Sequence, residues 1–203
     1  MDKEKGTDRF KEMLITSRMK GKSYFSLFTL SFFTFLLLSC SDADNTYYRG
    51  ARVRFSYSAT NTVPELNAAL GSMGEFCSIR CDAVKYIFTS PRSSTSRPLT
   101  AVDTRVNPAL GLSGLIVGLP NIPELGADVP RVVAFDLACP CYEDFNTTRN
   151  LQFAGNGRAA CTRCGRTYDL NNLGIVVEGP AGRSLYRYRA TYNQFGNTLS
   201  VNN

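Results

Sequence analysis

The sequence predicts an all-β domain with one short helix. Three observations carry this: short alternating apolar runs, glycine- and proline-bearing turns between them, and a single convincing helical stretch. The first run, YYRGARVRFSYS at 47–58, puts Val53, Phe55 and Tyr57 on one face and Arg52, Arg54 and Ser56 on the other. That period of two is the pattern of a half-exposed strand. PELNAALG at 64–71 is the helical stretch. Thr62 is placed to cap it, Pro64 suits its first turn, and Leu66, Ala69, Leu70 and Met73 share a face before Gly71 and Gly74 end it.

Residues 76–88 then read as one strand or two. SPRSSTSR at 90–97 is polar and turn-like, and LSGLIVGL at 112–119 is an apolar strand containing glycine. Residues 120–130 form a loop with three prolines, and RVVAFDL at 131–137 is a strand running toward Cys139. Residues 146–150 read as loop, and 166–170, 174–178 and 185–192 as three further short strands. No internal repeat and no dividing linker appears, so 49–203 is expected to be a single domain.

The first 39 residues read as a targeting segment rather than fold. YFSLFTLSFFTFLLL, 24–38, carries no charge, follows Lys20 and Lys22, and ends at Leu37-Leu38-Ser39-Cys40. A basic region, a short apolar stretch and small residues at a cleavage point make a secretory signal. Spanning a bilayer takes roughly 20 apolar residues, more than this stretch supplies. The L-L-S-C tail resembles a bacterial lipobox, with Cys40 as the lipidated first mature residue and 40–48 as its tether. An incidental cysteine or an uncleaved anchor are the alternatives. Residues 1–18 are long and mixed in charge for such a region, whereas starting at Met19 gives MKGKSYF, so Met19 is the expected true start. SDADN after Cys40 resembles the surface-export signal of Bacteroidetes lipoproteins, and a solvated tether reads the same way. The expected location is the outer membrane of a Gram-negative bacterium, held by a lipid anchor.

Composition removes several function classes. Seven of the 23 Lys and Arg and four of the 17 Asp and Glu precede Cys40, leaving sixteen against thirteen, a mature net charge of +3. The remaining cations are almost all arginine and scattered, with no basic stripe interleaved with aromatics, so nucleic-acid binding is not expected. The chain has no histidine. That excludes Ser-His-Asp and Cys-His catalysis and every His-ligated metal. No paired-carboxylate motif or glycine-rich phosphate loop stands out, and no catalytic residues are assigned.

Six cysteines remain after Cys40, four of them in two tight pairs: Cys139-Pro-Cys141 and Cys161-Thr-Arg-Cys164. Such spacings let neighbouring thiolates converge on one ion from a tight turn, and Gly165 suits that turn because no Cβ obstructs a backbone N–H approaching sulfur. One C-x-x-C is weak evidence, whereas two pairs beside predicted strands are stronger.

These segments resemble a Rieske domain. VVAFDLACPC, 132–141, is similar to its strand and first ligand loop, and CTRCGRTYDL, 161–170, to its second loop and following strand. GIVVEGPAGRSLYRY, 174–188, is similar to the trailing Gly-Pro-Ala loop and closing strand, and GLIVG, 114–118, to the strand before the first box. The resemblance covers roughly residues 110–192. It implies an antiparallel β-sandwich or barrel with two ligand loops meeting at one tip. It also implies a [2Fe–2S] cluster with two cysteines on one iron and two histidines on the other. Cys139 and Cys161 fall on the family's cysteines, but Cys141 and Cys164 stand where the histidines belong. The disulfide of some members has Asp144 and Arg163 in its place.

Three readings of the four cysteines stand. A structural Zn²⁺ leads, because cysteine is shorter than histidine and both replacements contract the site toward one ion. A Cys₄ [2Fe–2S] cluster is the second, making the domain an electron carrier with a potential below the Rieske type. No twin arginine precedes the apolar run, which favours unfolded export and zinc uptake afterwards. Two disulfides bridging between the pairs, without metal, are the third, since an exported chain meets an oxidising compartment. Thiol–disulfide exchange at Cys161 and Cys164 fits least, because turn and strand follow where a redox motif opens a helix. Cys77 and Cys81 would lie about 13 Å apart along a strand, so free buried thiols are expected, with a disulfide across a local turn as the alternative. The functional expectation is a non-catalytic module stapled by metal or disulfide. Its protein or small-molecule partner is left open.

Overall fold

Every strand pairing among the described residues is antiparallel. The chain's structure is a computed structural model that describes residues 47–141 and 148–203. The expected signal segment, Cys40 with the expected tether residues 41–46, and Asp144 lie outside them. The elements in chain order are β1 (Val53–Tyr57), α1 (Pro64–Gly71), β2 (Phe76–Cys81), β3 (Lys85–Thr89), β4 (Ser94–Pro98) and α2 (Ala101–Val106). Then come β5 (Ala109–Leu110), β6 (Leu115–Gly118), β7 (Val133–Asp136), β8 (Gln152–Gly155), β9 (Arg158–Ala160) and β10 (Thr167–Asp169). β11 (Ile175–Glu178), β12 (Arg187–Asn193) and β13 (Thr198–Asn202) complete the chain. Nine strands form one sheet in the order β4-β3-β2-β6-β7-β12-β13-β1-β5, and β11-β10-β9-β8 form a second. The second sheet is thus a sequence insert between β7 and β12 of the first.

The two sheets share β6 and β7 as a wall, which explains why these strands read as nearly continuous apolar runs. Side chains alternate across a strand. Leu115, Val117 and Ala134 face one core with Val53, Phe55, Ile79 and Phe88, closed by Leu66, Ala69 and Leu70 of α1. Ile116, Val133 and Phe135 face a second core with Leu137, Leu151, Ala159, Tyr168, Leu170 and Leu185. Cys139, Cys141 and Cys161 belong to the second core, and half-buried Cys164 packs against it. A strand buried on both faces has no polar positions to alternate with, so a one-residue slip would still bury apolar atoms. Its register is fixed instead by pairings at both sides, Ile79 with Leu115 and Phe135 with Arg187.

Several local expectations are corrected. The polar segment 90–97 is not all turn: only Ser90 to Ser93 closes the turn, through Ser90 N–H to the Ser93 carbonyl at 2.8 Å. Ser94–Pro98 then pairs with β3 as the edge strand β4. Its burial alternates between exposed and half-buried, so no apolar face announces it, and a terminal proline is tolerated at a sheet edge. Thr62 does not cap α1. It lies in a 3-10 turn and its hydroxyl donates to the Ala59 carbonyl, while Val63 holds the cap position without a side-chain bond. Pro64 does open the helix. Met73 lies past the helix end and is 63% exposed, so it is no part of the buried face. A second helix, α2, was not expected from periodicity. Thr100 and Asp103 close a capping box at its start, a signal that T-x-x-D carries in sequence.

Candidate metal centre

The first cysteine loop leaves β7 through a turn organised by Asp136. This carboxylate is fully buried and accepts from the Ala138 N–H at 2.7 Å, the Leu112 N–H at 2.7 Å and the Tyr188 hydroxyl at 2.6 Å. Three donors are what a buried carboxylate requires. Burial nonetheless pushes its carboxyl above the ordinary range, against the pull of those donors. Gly111, at φ +75°, passes so close that a side chain there would overlap the Asp136 carboxylate. Residues 137–139 are then clamped against 149–151. Cys139 N–H donates to the Arg149 carbonyl at 2.8 Å, and Leu151 N–H to the Leu137 carbonyl at 2.9 Å. Residues 142–147 of this loop lie outside the described ones.

The second loop joins β9 to β10. Cys161 N–H donates to the Arg166 carbonyl at 2.9 Å, and Gly165 N–H to the Cys161 carbonyl at 3.0 Å, closing a tight knuckle. Gly165 sits at φ +71° with open space where a Cβ would be, so it is the backbone angle, not room, that asks for glycine. The segment Gly179-Pro180-Ala181 lies against this knuckle. Arg166 donates from Nε to the Pro180 carbonyl at 3.1 Å and from Nη2 to the Ala181 carbonyl at 3.0 Å. A side chain at Gly179 would run into the Gly165 carbonyl.

The loops bring together the four cysteines that the sequence singles out. Their sulfurs all lie within 4.8 Å of one another, an arrangement that could hold a metal ion. Cys139 Sγ is 3.7 Å from Cys164 Sγ, and Cys141 Sγ is 3.7 Å from Cys161 Sγ, so each short separation joins one cysteine from each loop. Cys139, Cys141 and Cys161 are buried, and Cys164 is half-buried at the rim. All four are free thiols, as are buried Cys77 and half-buried Cys81 on β2.

The local electrostatics differ among the four. Burial pushes the Cys139 thiol up to about 11, against a pull from the Tyr168 hydroxyl. Burial also raises Cys141, and the neighbouring thiols Cys139 and Cys161 add to it. Cys161 goes the other way. Burial opposes its thiolate, but the backbone amides of Cys164 and Arg163, with the neighbouring thiols of Cys139 and Cys164, lower it. The knuckle therefore supplies N–H dipoles to one sulfur, as a thiolate ligand needs.

Tyr168 and Asp136 support the site but were read in sequence only as strand residues. The Tyr168 hydroxyl, on a fully buried ring of β10, is 3.2 Å from Cys139 Sγ. A tyrosine four residues past a C-x-x-C, and a carboxylate ending an apolar strand before a cysteine loop, were the signals available. The hairpin β8–β9 that positions Cys161 was also missed. Its signal was Asn156-Gly157, both at positive φ in the turn, the strongest short-range mark of a hairpin.

No protein-family model matches the chain, and no curated protein matches it.

Proposed function

We propose that the chain is an exported, lipid-anchored protein with a Rieske-like domain whose four cysteines hold one structural Zn²⁺. The domain acts as a non-catalytic binding or structural module at the outer membrane. The observation that carries the metal reading is the sulfur geometry. A tetrahedron with Zn–S bonds of about 2.3 Å has edges of about 3.8 Å. The two separations of 3.7 Å match those edges, and all four sulfurs fall within 4.8 Å. Bonded sulfurs would lie about 2.05 Å apart.

A two-iron cluster divides its ligands into one pair per iron, and bridging sulfides spread the pairs apart. By the family pattern Cys139 would pair with Cys161, and Cys141 with Cys164. The 3.7 Å separations cross those pairs, which favours a single ion. The Rieske-like reading draws support from the element order. Both cysteine loops belong to the β8–β11 insert and its entry from β7, and the Gly179-Pro180-Ala181 segment rests on the second loop. The lipid anchor rests on the sequence around Cys40 alone.

Metal content and absorption spectra of gently purified protein test the proposal. One zinc per chain in a colourless sample is the expected result. Iron with acid-labile sulfide and visible bands would establish the electron-transfer alternative instead. Metal-free protein whose thiols react only after reduction would establish the disulfide-stapled one.

A further inference from the structure

The first core borders a cleft whose lining includes none of the four clustered cysteines. β1 pairs with β5 only through Val53 and Arg54, so the rest of that strand edge has no strand partner among the described residues. Beside it opens a cleft of about 810 Å³, bounded by β1, the β3–β4 hairpin and α2. Ligand sites for small molecules run about 300–1,000 Å³ and combine apolar walls with a few placed polar groups.

The apolar wall comes from α2. None of its residues is buried, and Val102 and Val106 are 67% and 43% exposed although both line the cleft. Four residues apart, they share one helix face, and that face covers no core. Opposite stands Tyr57, half-buried, its ring edge-on to Tyr86 at 5.8 Å and to Phe88 at 5.1 Å.

The polar end is cationic. Arg54 and Arg97 both line the cleft, and neither makes an ion pair among the described residues. Arg54 donates to the Val106 carbonyl, and Arg97 Nη2 to the Thr62 carbonyl at 2.6 Å. Arg97 Nε is buried with no hydrogen-bond partner. Glu65 acts on Arg97 only at longer range. The cleft's own carboxylate, Asp103, is already engaged: one oxygen takes the Tyr86 hydroxyl and the other takes Thr100 N–H and Oγ1. A guanidinium that lines the cleft without an ion pair, together with an uncovered apolar face in the same lining, is the recognition pattern for a carboxylate on an apolar body.

We propose that this cleft binds a small amphipathic organic acid, its carboxylate on Arg97 and its apolar body between Tyr57 and the Val102–Val106 face. An added peptide strand fits less well. Only three residues of β1 remain unpaired on that side, shorter than an ordinary strand of about five or six.

Equilibrium dialysis of the purified full chain, with detergent alone as blank, tests this using 2-naphthoate and octanoate as probes. Saturable binding of at least one of them at one site per chain is expected, about tenfold or more tighter than the matching amide. Arg97→Gln should abolish the preference for acid over amide. Val102→Asp, at an exposed position that does not threaten the fold, should abolish binding of both. No saturable binding of either acid, equal binding of acid and amide, or unchanged binding in both variants would overturn the proposal. None of these outcomes depends on the metal, so failure here leaves the zinc reading standing.

Discussion

Tyr168 holds its hydroxyl 3.2 Å from Cys139 Sγ, with both residues fully buried. With a thiolate bound to a metal, that O–H becomes a donor to the ligand sulfur, and such outer partners are worth roughly 10- to 100-fold in metal affinity. Tyr168→Phe keeps the ring and removes only the donor. It should lose zinc to a competing chelator about tenfold faster or further, with thermal stability of the metal-loaded protein down by about 1 kcal/mol. Unchanged metal release would reduce Tyr168 to a packing residue. Asp136 makes a different prediction. Its carboxyl titrates above the ordinary value because it is buried. Between the unfolded value, about 3.9, and the raised folded one, the native state keeps a proton that the unfolded chain has lost. Its contribution is therefore greatest below that window and falls as pH rises through it. Denaturant titrations from pH 4 to 7 should show the stability gap between wild type and Asp136→Asn narrowing as pH rises. A constant or widening gap would contradict the assignment.

The elements around the centre explain which parts of it were readable. The cysteine pairs were legible because their spacing is itself the chemistry. β6 and β7 were legible because burial on both faces writes a nearly continuous apolar run, broken only by Asp136. β4 was not, because an exposed edge strand, Ser-Thr-Ser-Arg-Pro, carries no apolar face. The supporting groups were not either, because a lone Tyr168 or Asp136 acquires meaning only when folding places Cys139 or Ala138 beside it. The two glycines of the knuckle give a graded test at this scale. Gly165 needs only its positive φ, so Gly165→Ala should cost about 1 kcal/mol. Gly179 needs its angle and also lies against the Gly165 backbone. Gly179→Ala should therefore cost more, by about 1–3 kcal/mol from the clash, and should loosen metal retention as well. Equal losses in chemical denaturation would show that the Gly-Pro-Ala segment does not brace the knuckle.

At the scale of the whole molecule, two apolar cores share the wall β6–β7, and they are stabilised differently. The first has α1 and aromatic packing around Phe55, Tyr86 and Phe88. The second is built on four short strands of three or four residues, and three of the cysteines are among its buried members, with Cys164 packed against it. Four buried or half-buried thiols in so small a core contribute little by packing alone. A structural Zn²⁺ contributes roughly 10–16 kcal/mol of apparent binding free energy at neutral pH, more than enough to hold two loops together. The central claim is that one ion occupies that position. X-ray absorption at the metal edge of the purified protein tests it most directly. The account predicts zinc with a single shell of four sulfurs at about 2.3 Å and no second metal. Iron with a metal–metal scattering path, or sulfurs bonded to each other rather than to any metal, would contradict it.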